Sequence, residues 1–404
     1  MNETPPRGAL DGLKVVDLSR VLAGPFCAQM LADHGAEVIK VEPPAGDETR
    51  QWGPPFNESG SAAFLSVNRN KRTLAMDLSQ PSAREVLFRL LADADVLVEN
   101  FKAGTLERWG LGFADVLQAR FPRLVHCTIT GFGVDGPWGG MPGYDLFVQA
   151  WSGMISMNGS IESGPFRISV PLVDLATGTN AALGVMMALR RREATGRGQH
   201  VEVALFDVAL SLLVPAAQLH FIAGAAPGLA GNRHGSIAPF SLHKTRGRSI
   251  FLSAGSDRAF RNLCSILGKP QLGADPRFLT NRDRLDNVEA LTAELDDGMA
   301  ERDGEELALE LMAKGVGAGA LFTVADALDH PHTEHREMVV DVDGQKTLGV
   351  PIRLSESPGS ARARPPAFNE HVDDILQELG FSADEAADLQ RSNAVSGSTA
   401  HAPD

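Results

Sequence analysis

The chain has 404 residues, too many for one ordinary hydrophobic core, and this length predicts two domains or one large domain with a substantial insertion. Apolar residues make up 43% and charged residues 22%, as in globular proteins, and no apolar run approaches the roughly 20 residues that cross a bilayer. The net charge of -14 disfavours nucleic acid and anionic membranes as partners, because both bind basic surfaces.

The first residues and the cysteines bear on location. Met-Asn-Glu-Thr-Pro-Pro has neither a basic segment followed by an apolar one nor an Arg-rich pattern, so we expect a cytoplasmic protein. Three cysteines lie far apart in the sequence: Cys27, Cys127 and Cys264. This spacing favours small core residues over a disulfide framework or a zinc site.

The first half of the chain alternates between strand and helix patterns. A buried-strand run at 14–18 precedes a helical stretch at 26–33 and a second strand at 37–41. The alternation then continues with extended runs and one helix, at 73–78, 82–92 (the helix), 95–99 and 123–130. Such alternation predicts a parallel sheet covered by helices on both faces, with ligand at the carboxyl ends of the strands.

Residues 131–136 follow a strand and spell Gly-x-Gly-x-x-Gly, the pattern of a dinucleotide-binding fingerprint. That fingerprint needs a helix that begins at the glycines, whereas the Pro and Gly residues at 137–143 prevent a helix before about Tyr144. We therefore reject it. A flexible glycine loop over a ligand and a plain connection remain as alternatives.

The segment 168–178 contains one carboxylate, Asp174, among apolar and small residues. The residues that follow it are rich in Ala, Leu and Met, so Asp174 is predicted to lie where a loop becomes a helix. Asp is a favoured helix N-cap, because its oxygen accepts from a free amide and its charge complements the helix dipole. The sequence thus leaves two interpretations of Asp174, a structural cap and a catalytic nucleophile whose ionised form the helix helps to stabilise.

The second half of the chain predicts a smaller, mostly helical unit. A strand at 199–204 and a helical run at 206–223 precede a segment rich in Gly, Pro and basic residues at 224–248, which is typical of a linker. A strand at 249–254 and helical segments follow, and extended runs are predicted at 338–342 and 350–354. Three histidines gather at 329–337, but Pro331 breaks the spacing that presents metal ligands, so a solvated connector is favoured and no metal site is predicted.

Several segments in order resemble the class III CoA-transferase family, also called the CaiB/BaiF or formyl-CoA transferase family. They are Leu-Asp-Gly-Leu-Lys-Val-Val-Asp-Leu at 10–18, Ala-Gly-Pro at 23–25, Gly-Ala-Glu-Val-Ile-Lys-Val-Glu at 35–42, Asn-Arg-Asn-Lys-Arg at 68–72, Asp-Val-Leu-Val-Glu-Asn-Phe at 95–101, and 178–199. The resemblance extends from about residue 8 to about residue 391. It implies an α/β fold, with a Rossmann-like large domain whose parallel sheet is built from both chain ends, plus a small domain, in an interlocked homodimer.

The resemblance also implies domain boundaries. Residues 1–205 would form the first part of the large domain, 206–224 a linker helix, and 225–324 the small domain. Residues 325–391 would return to the large domain, and the small polar tail at 392–404 is expected to be disordered.

The implied activity is transfer of CoA from an acyl-CoA donor to a carboxylic acid, with dicarboxylic acids as one option. Asp174 would be the nucleophile and would carry an aspartyl-CoA thioester. Coenzyme A is a substrate, and neither a permanently bound cofactor nor a metal is implied. Arg233 or His234 is a candidate contact for a second acceptor carboxylate, and a plain linker is the alternative for this segment.

The family's CoA-contact positions correspond here to Leu22, Met76, Asp77, Asn100, Phe101, Lys102 and Arg108, and Tyr144 is counted with them. Lys102 and Arg108 can supply charge to phosphate, although a surface Lys or Arg often has no ligand. This chain departs from some relatives at Leu22, where they have Gln, and at Pro43, where they have a phosphate-binding Arg. We expect those two contacts to differ here.

Two alternative functions remain. An α-methylacyl-CoA racemase of the same superfamily needs Gly-His-Asp where this chain has Gly143-Tyr144-Asp145, and a phenol is a poorer proton shuttle near neutral pH than an imidazole. A catalytically silent CoA-binding protein is the other alternative, and retention of Asp174 disfavours it.

Overall fold

The computed structural model describes residues 8–397. The expectation drawn from residues 1–6 lies outside this range, and the cytoplasmic location stays a prediction. The described chain divides into two compact units. The first comprises the residues up to Met154, Ile168–Gln218 and the residues from Glu337 on, and the second comprises Ile155–Arg167 and Leu219–Arg336.

The strands are β1 (Lys14–Asp17), β2 (Glu37–Glu42), β3 (Phe56–Asn57), β4 (Gly60–Ser61), β5 (Lys71–Ala75), β6 (Val96–Glu99), β7 (Val125–Thr130), β8 (Gly159–Ser160), β9 (Gly164–Pro165), β10 (His200–Ala204), β11 (Phe240–His243), β12 (Ile250–Ser253), β13 (Gly317–Ala320), β14 (Val339–Val342) and β15 (Gln345–Leu348). The α-helices are α1 (Ala23–Asp33), α2 (Ala62–Leu65), α3 (Pro81–Ala92), α4 (Thr105–Arg108), α5 (Gln118–Arg120), α6 (Asp145–Trp151), α7 (Leu172–Thr195), α8 (Leu205–Ser211), α9 (Val214–Ala223), α10 (Asp257–Ile266), α11 (Asn281–Asp286), α12 (Val288–Met299), α13 (Gly304–Ala313), α14 (Val324–Leu328), α15 (Pro331–His335), α16 (Val372–Glu378) and α17 (Ala383–Arg391). Short 3-10 helices lie at Glu48–Gln51, Met154–Met157 and Pro270–Ala274, and a π-helical turn lies at Phe113–Leu117.

The first unit is built on a six-stranded parallel sheet in the order β10-β7-β6-β1-β2-β5. Successive residues of its strands face opposite sides, so Val15 packs into one hydrophobic cluster and Val16 into another. The first cluster includes residues of α1 and α7, and the second includes residues of α3 and α16. The predicted parallel sheet with helices on both faces is confirmed. The prediction that both chain ends build the sheet is wrong, because all six of its strands lie within residues 14–204 and the C-terminal part contributes α16 to one face.

Helices α1 and α7 pack closely because Gly178 has no side chain. A Cβ at this position would lie 2.5 Å from the carbonyl oxygen of Ala23 at the start of α1. By length and composition, α7 is apolar enough to cross a membrane, so the prediction that no run approaches this length is wrong. Buried core helices pass the same test, and α7 buries Val173, Ala181 and Val185 in the first cluster.

The residues after α17 pack against the edge of the sheet. Ala394 and Val395 are buried, the amide of Ser396 donates to the carbonyl of Ala75 at 2.8 Å, and Val395 forms a bridge with Met76. The prediction of disorder is therefore wrong for 392–397, because two apolar side chains join the core and cover the open edge of β5. The rest of that predicted tail, 398–404, lies outside the described residues.

The second unit contains a three-stranded antiparallel sheet in the order β11-β12-β13, packed with α10, α12 and α13. The buried guanidinium of Arg284 donates to the carbonyls of Ala238, Phe278 and Gly255. The histidine segment contains a short helix, α15, with Pro331 in its first turn, where a proline needs no amide partner. None of the residues of α15 is buried, which agrees with the predicted solvated connector.

Two further predictions on secondary structure are wrong. The expected linker helix at 206–224 is two helices, α8 and α9, separated at residues 212–213. The expected extended run at 350–354 is not a strand, and β15 lies earlier, pairing with β14 across the turn at Asp343 and Gly344.

Candidate active site

The clefts of the first unit lie at the topological switch point of the sheet, where the chain stops adding strands on one side of β1 and begins adding them on the other. The chain runs from β1 outward through β2 to β5 and then returns to β6 on the other side of β1. Loops that leave the carboxyl ends of β1 and β6 at such a point diverge and leave room for a ligand. The two loops here are residues 18–22 and 100–104.

A cleft of about 220 Å³, which we call the Asp174 cleft, opens at this point. It is lined by residues at or after the ends of β1, β2, β6, β7 and β10 and by the start of α7, including Arg20, Leu22, Glu48, Asn100, Phe101, Lys102, Thr130, Met141, Tyr144, Asp174 and Leu205. The structure thus brings together five of the predicted CoA-contact residues, Leu22, Asn100, Phe101, Lys102 and Tyr144, with the predicted nucleophile. It leaves Met76, Asp77 and Arg108 outside this cleft.

Asp174 lies in the first turn of α7. It is not the N-cap, although the sequence had suggested that role. The helix begins two residues earlier, at Leu172, and Pro171 occupies the cap position without a side-chain hydrogen bond. The capping acceptor is Asp145, at the start of α6. Its Oδ2 accepts from the amides of Val173 at 2.8 Å and Asp174 at 3.1 Å. Because Asp145 caps the helix, the carboxylate of Asp174 is released from that role.

The pKa of Asp174 is raised from 3.8 to about 7, first by burial and then by the negative charge of Asp145. This corrects the expectation that the helix terminus holds the carboxylate ionised. The free amides of the terminus donate to Asp145, so the nearest charge to Asp174 is negative. The Asp174 carboxylate also accepts no hydrogen bond from any residue in 8–397. A poorly solvated carboxylate without donors is a stronger base and nucleophile than an exposed one.

The glycine-rich segment after β7 lines the same cleft through Gly140, Met141, Pro142 and Gly143. Its two ends approach so closely that a Cβ on Gly131 would lie 2.5 Å from the amide nitrogen of Gly143. The prediction that a helix starts only near Tyr144 is confirmed, since α6 begins at Asp145. Of the two interpretations left open for this loop, its position at the cleft favours a role over a ligand.

The loop after β1 is held by a buried pair of opposite charges. Lys40 Nζ lies 3.0 Å from Asp47 Oδ2 and donates to the carbonyl of Ser19 at 2.7 Å. Asp47 in turn accepts from the amide of Val21, at 3.3 Å to Oδ2. Val21 has a φ of 69°, which is strained for a β-branched residue. The buried pair therefore fixes a strained turn that directs residues 20–22 to the cleft.

A second cleft of about 330 Å³, the Met76 cleft, is lined by Leu18, Arg20, Val41, Glu42, Pro43, Pro44, Met76, Asp77, Leu78, Phe101, Lys102, Thr105 and Trp109. Met76 and Asp77 thus share a cavity with Phe101 and Lys102, as a common CoA site requires. Arg108 lines neither cleft, and its Nη2 donates to Thr105 Oγ1 at 2.9 Å. Pro43 lines the second cleft and offers no charge there.

Sequence reasoning missed three residues of the site. Arg20 lines both clefts, Glu48 lines the first, and Asp145 caps the helix of Asp174. Arg20 could have been found, because it follows the first strand two residues before the predicted contact Leu22. The role of Asp145 was hidden, because 29 residues separate it from Asp174.

Comparisons with known proteins agree with this geometry. The family model described as CoA-transferase family III matches residues 10–372. The chain belongs to CoA-transferase family III. A solved structure of a CAIB/BAIF family protein from Brucella suis is 40% identical, with a TM-score of 0.85 over 92% of this chain and 100% of that chain.

Two relatives of the chain are named as CoA-transferases. A protein of Acetobacter aceti named acetyl-CoA:oxalate CoA-transferase is 36% identical over 88% of this chain and 93% of its own length. A protein of Agrobacterium fabrum named succinate–glutarate CoA-transferase is 36% identical over 94% of this chain and 96% of its own length. The family resemblance is confirmed, and the chain is a CoA-transferase that acts on acyl-CoA.

In the second unit, Arg233 and His234, the two candidate contacts for an acceptor carboxylate, interact with other residues of the protein. Arg233 forms a two-pronged ion pair with Glu289, at 2.5 Å and 3.1 Å. His234 Nδ1 accepts from the amide of Ser236 at 3.2 Å. With its guanidinium engaged by Glu289, Arg233 has no free charge for an acceptor carboxylate in this arrangement.

Proposed function

We propose that this family III enzyme transfers CoA from an acyl-CoA to a carboxylic acid through a thioester on Asp174. The observation that supports it is a carboxylate without hydrogen-bond donors, with a pKa raised to about 7, in a cleft at the switch point of the sheet. Above that pH the group is ionised and can attack. Its acyl product is about as activated as a thioester, so transfer between near-isoenergetic partners is rapid.

In the first half-reaction, an oxygen of Asp174 attacks the thioester carbonyl and CoA leaves as thiolate, which gives a mixed anhydride. The thiolate then attacks the Asp174 carbonyl of the anhydride, releasing the donor acid and forming the aspartyl-CoA thioester. In the second half-reaction, the acceptor carboxylate attacks that thioester and CoA leaves again as thiolate. Attack of CoA on the acceptor carbonyl then restores the Asp174 carboxylate, so that no water or proton is consumed.

The residues around Asp174 favour this sequence over hydrolysis. The glycine-rich loop lines the cleft through Met141 and Pro142. We expect it to limit solvent there, because an aspartyl thioester survives only if water is excluded. Asp145 holds the first amides of α7 by accepting from Val173 and Asp174. The negative charge of Asp145 repels the ionised carboxylate of Asp174. This repulsion is lost when Asp174 becomes a neutral thioester, so Asp145 promotes acylation.

Hydroxylamine tests the intermediate. During turnover with a donor acyl-CoA, the peptide that contains Asp174 should gain a hydroxamate, detected by mass spectrometry, and Asp174→Asn should gain none. Asp93→Asn, which removes an exposed carboxylate of the same unit, serves as the matched control and should label as wild type does. Turnover with an unmodified Asp174 peptide would contradict the proposal.

A second incubation separates transferase from racemase. With a 2-methylacyl-CoA in deuterated water, a transferase leaves the hydrogen on the α-carbon in place, whereas a racemase must exchange it. We expect no deuterium in recovered acyl-CoA, because Tyr144 stands where a racemase requires histidine. Rapid exchange would assign the chain to racemisation instead.

The acceptor we propose is a dicarboxylic acid, since two relatives 36% identical to the chain are named for oxalate and for glutarate. Matched acids that differ only in the second carboxylate, such as glutarate and butyrate, test this with one acyl-CoA donor. The dicarboxylic acid should give the higher kcat/KM. Equal values for the pair would remove the second carboxylate from recognition.

We also propose that the enzyme is an interlocked homodimer. Helix α9 is largely apolar, yet none of its ten residues is buried. Its side chains Val214, Phe221 and Ile222 are 68%, 75% and 77% exposed. Met187 on α7 is 62% exposed as well. Apolar surface of this kind is typical of a subunit interface. Sedimentation should show a dimer that persists on dilution, and a reversible monomer at micromolar concentration would contradict interlocking.

A further inference from the structure

Arg20 and Lys102 lie at the junction of the two clefts, because both residues line the Asp174 cleft and the Met76 cleft. The inference drawn from this junction rests on the proposed function. If the thiol end of CoA lies at Asp174 and the adenosine end at Met76 and Asp77, the middle of the molecule crosses the junction. The middle of CoA is its diphosphate, which carries negative charge.

The guanidinium of Arg20 has no acceptor among the residues that the structure describes. Its Nε is buried without a hydrogen-bond partner, and the group forms no ion pair with any residue in 8–397. Its ring contact is with Phe101, whose centroid lies 6.0 Å from Cζ. Arg50, in contrast, donates two hydrogen bonds to Glu42, at 2.8 Å and 2.7 Å. A buried donor without an acceptor is unfavourable unless a ligand completes it.

The backbone of Arg20 is fixed on both sides. Its amide donates to Asn100 Oδ1 at 2.9 Å, and Asn100 Nδ2 donates back to its carbonyl at 2.8 Å. The next residue, Val21, is held in its strained turn by Asp47. These contacts involve only backbone atoms of Arg20 and Val21, so the side chain of Arg20 is not needed to maintain the loop. A strained and well-anchored turn that presents an unpaired arginine indicates a ligand-binding position.

We propose that Arg20 binds the diphosphate of CoA in this enzyme. Pro43 lines the same cleft as Arg20 and carries no charge, so the positive charge at the junction comes from Arg20 and Lys102. A guanidinium pairs with phosphate oxygens through two parallel hydrogen bonds, and Lys102 adds a second charge at the junction.

Binding of truncated ligands tests the assignment without turnover. Calorimetry would compare CoA, dephospho-CoA and pantetheine on Asp174→Asn protein, with and without Arg20→Gln. We expect Arg20→Gln to weaken CoA and dephospho-CoA about 10- to 100-fold, as for loss of a charged hydrogen bond, and to leave pantetheine unchanged. Arg20→Lys should restore part of the affinity. Arg190→Gln, which removes an exposed charge from α7, is the control and should change no affinity.

Each other outcome overturns the inference in a distinct way. A loss seen with CoA and absent with dephospho-CoA would assign Arg20 to the 3′-phosphate. An equal loss for all three ligands would make Arg20 a structural residue of the cleft. Unchanged CoA affinity in Arg20→Gln would remove it from the site while leaving the proposed function intact. Failure of the parent protein itself to bind CoA would overturn the proposed function along with it.

Discussion

Replacement of Asp174 by Asn should abolish CoA transfer and at the same time stabilise the fold. The pKa of Asp174 rises from 3.8 to about 7 in the folded protein, mainly through burial. At roughly 1.36 kcal/mol per unit, ionisation of this group destabilises the folded state by about 4 kcal/mol. Partial exposure of the side chain reduces this to about 2 to 4 kcal/mol. With an unfolding entropy of about 2.1 cal/mol/K per residue, the gain corresponds to roughly 2 to 5 °C in Tm.

The sign of this effect depends on pH. A carboxyl whose folded pKa is raised favours the folded state below its unfolded pKa of 3.8, and that contribution is lost as pH rises through about 7. The advantage of Asp174→Asn should therefore be small at pH 4.5, grow through pH 7 and level off above pH 8. Differential scanning calorimetry at matched scan rates measures it, with Asp93→Asn as the control for loss of one charge. An advantage that is independent of pH, or that shrinks as pH rises, would refute the reasoning.

Three further predictions follow from individual contacts. Asp145→Asn should lower the pKa of Asp174 and shift the acidic limb of the kcat/KM profile to lower pH, and an unmoved limb would exclude Asp145 as a cause of the shift. Gly178→Val should lower kcat by at least tenfold, because a Cβ there meets the Ala23 carbonyl at 2.5 Å and displaces the first turns of α7. An unchanged kcat of this variant in a steady-state assay would contradict the role of this packing. Val395→Asp should lower Tm by several degrees, through about 2 to 4 kcal/mol lost from the core, and should raise the KM for acyl-CoA by releasing the chain that pairs with Met76; an exposed control, Ser392→Asp, should change neither value.

The sequence by itself determined the family, the parallel sheet and the candidate nucleophile. Alternating strand and helix patterns are local, since they depend on side chains two or four residues apart, and they predicted β1, α1 and β2 close to their observed bounds. The glycines and prolines at 131–143 likewise prevented a helix for local steric reasons, and α6 starts at Asp145 as a result.

Only the tertiary structure decided what surrounds the nucleophile. Asp145 reaches the amides of Val173 and Asp174 because α6 and α7 pack together. Asp145 therefore caps the helix in place of Asp174, and its charge, together with burial, raises the pKa of Asp174. The burial of Ala394 and Val395 depends on the open edge of β5, which a polar-looking tail does not reveal. The assignment of Arg20 needed two clefts and the lack of an acceptor for Nε. Charge, burial and partners are properties of space around a residue, and neighbours in space are fixed only when distant segments of the chain fold together.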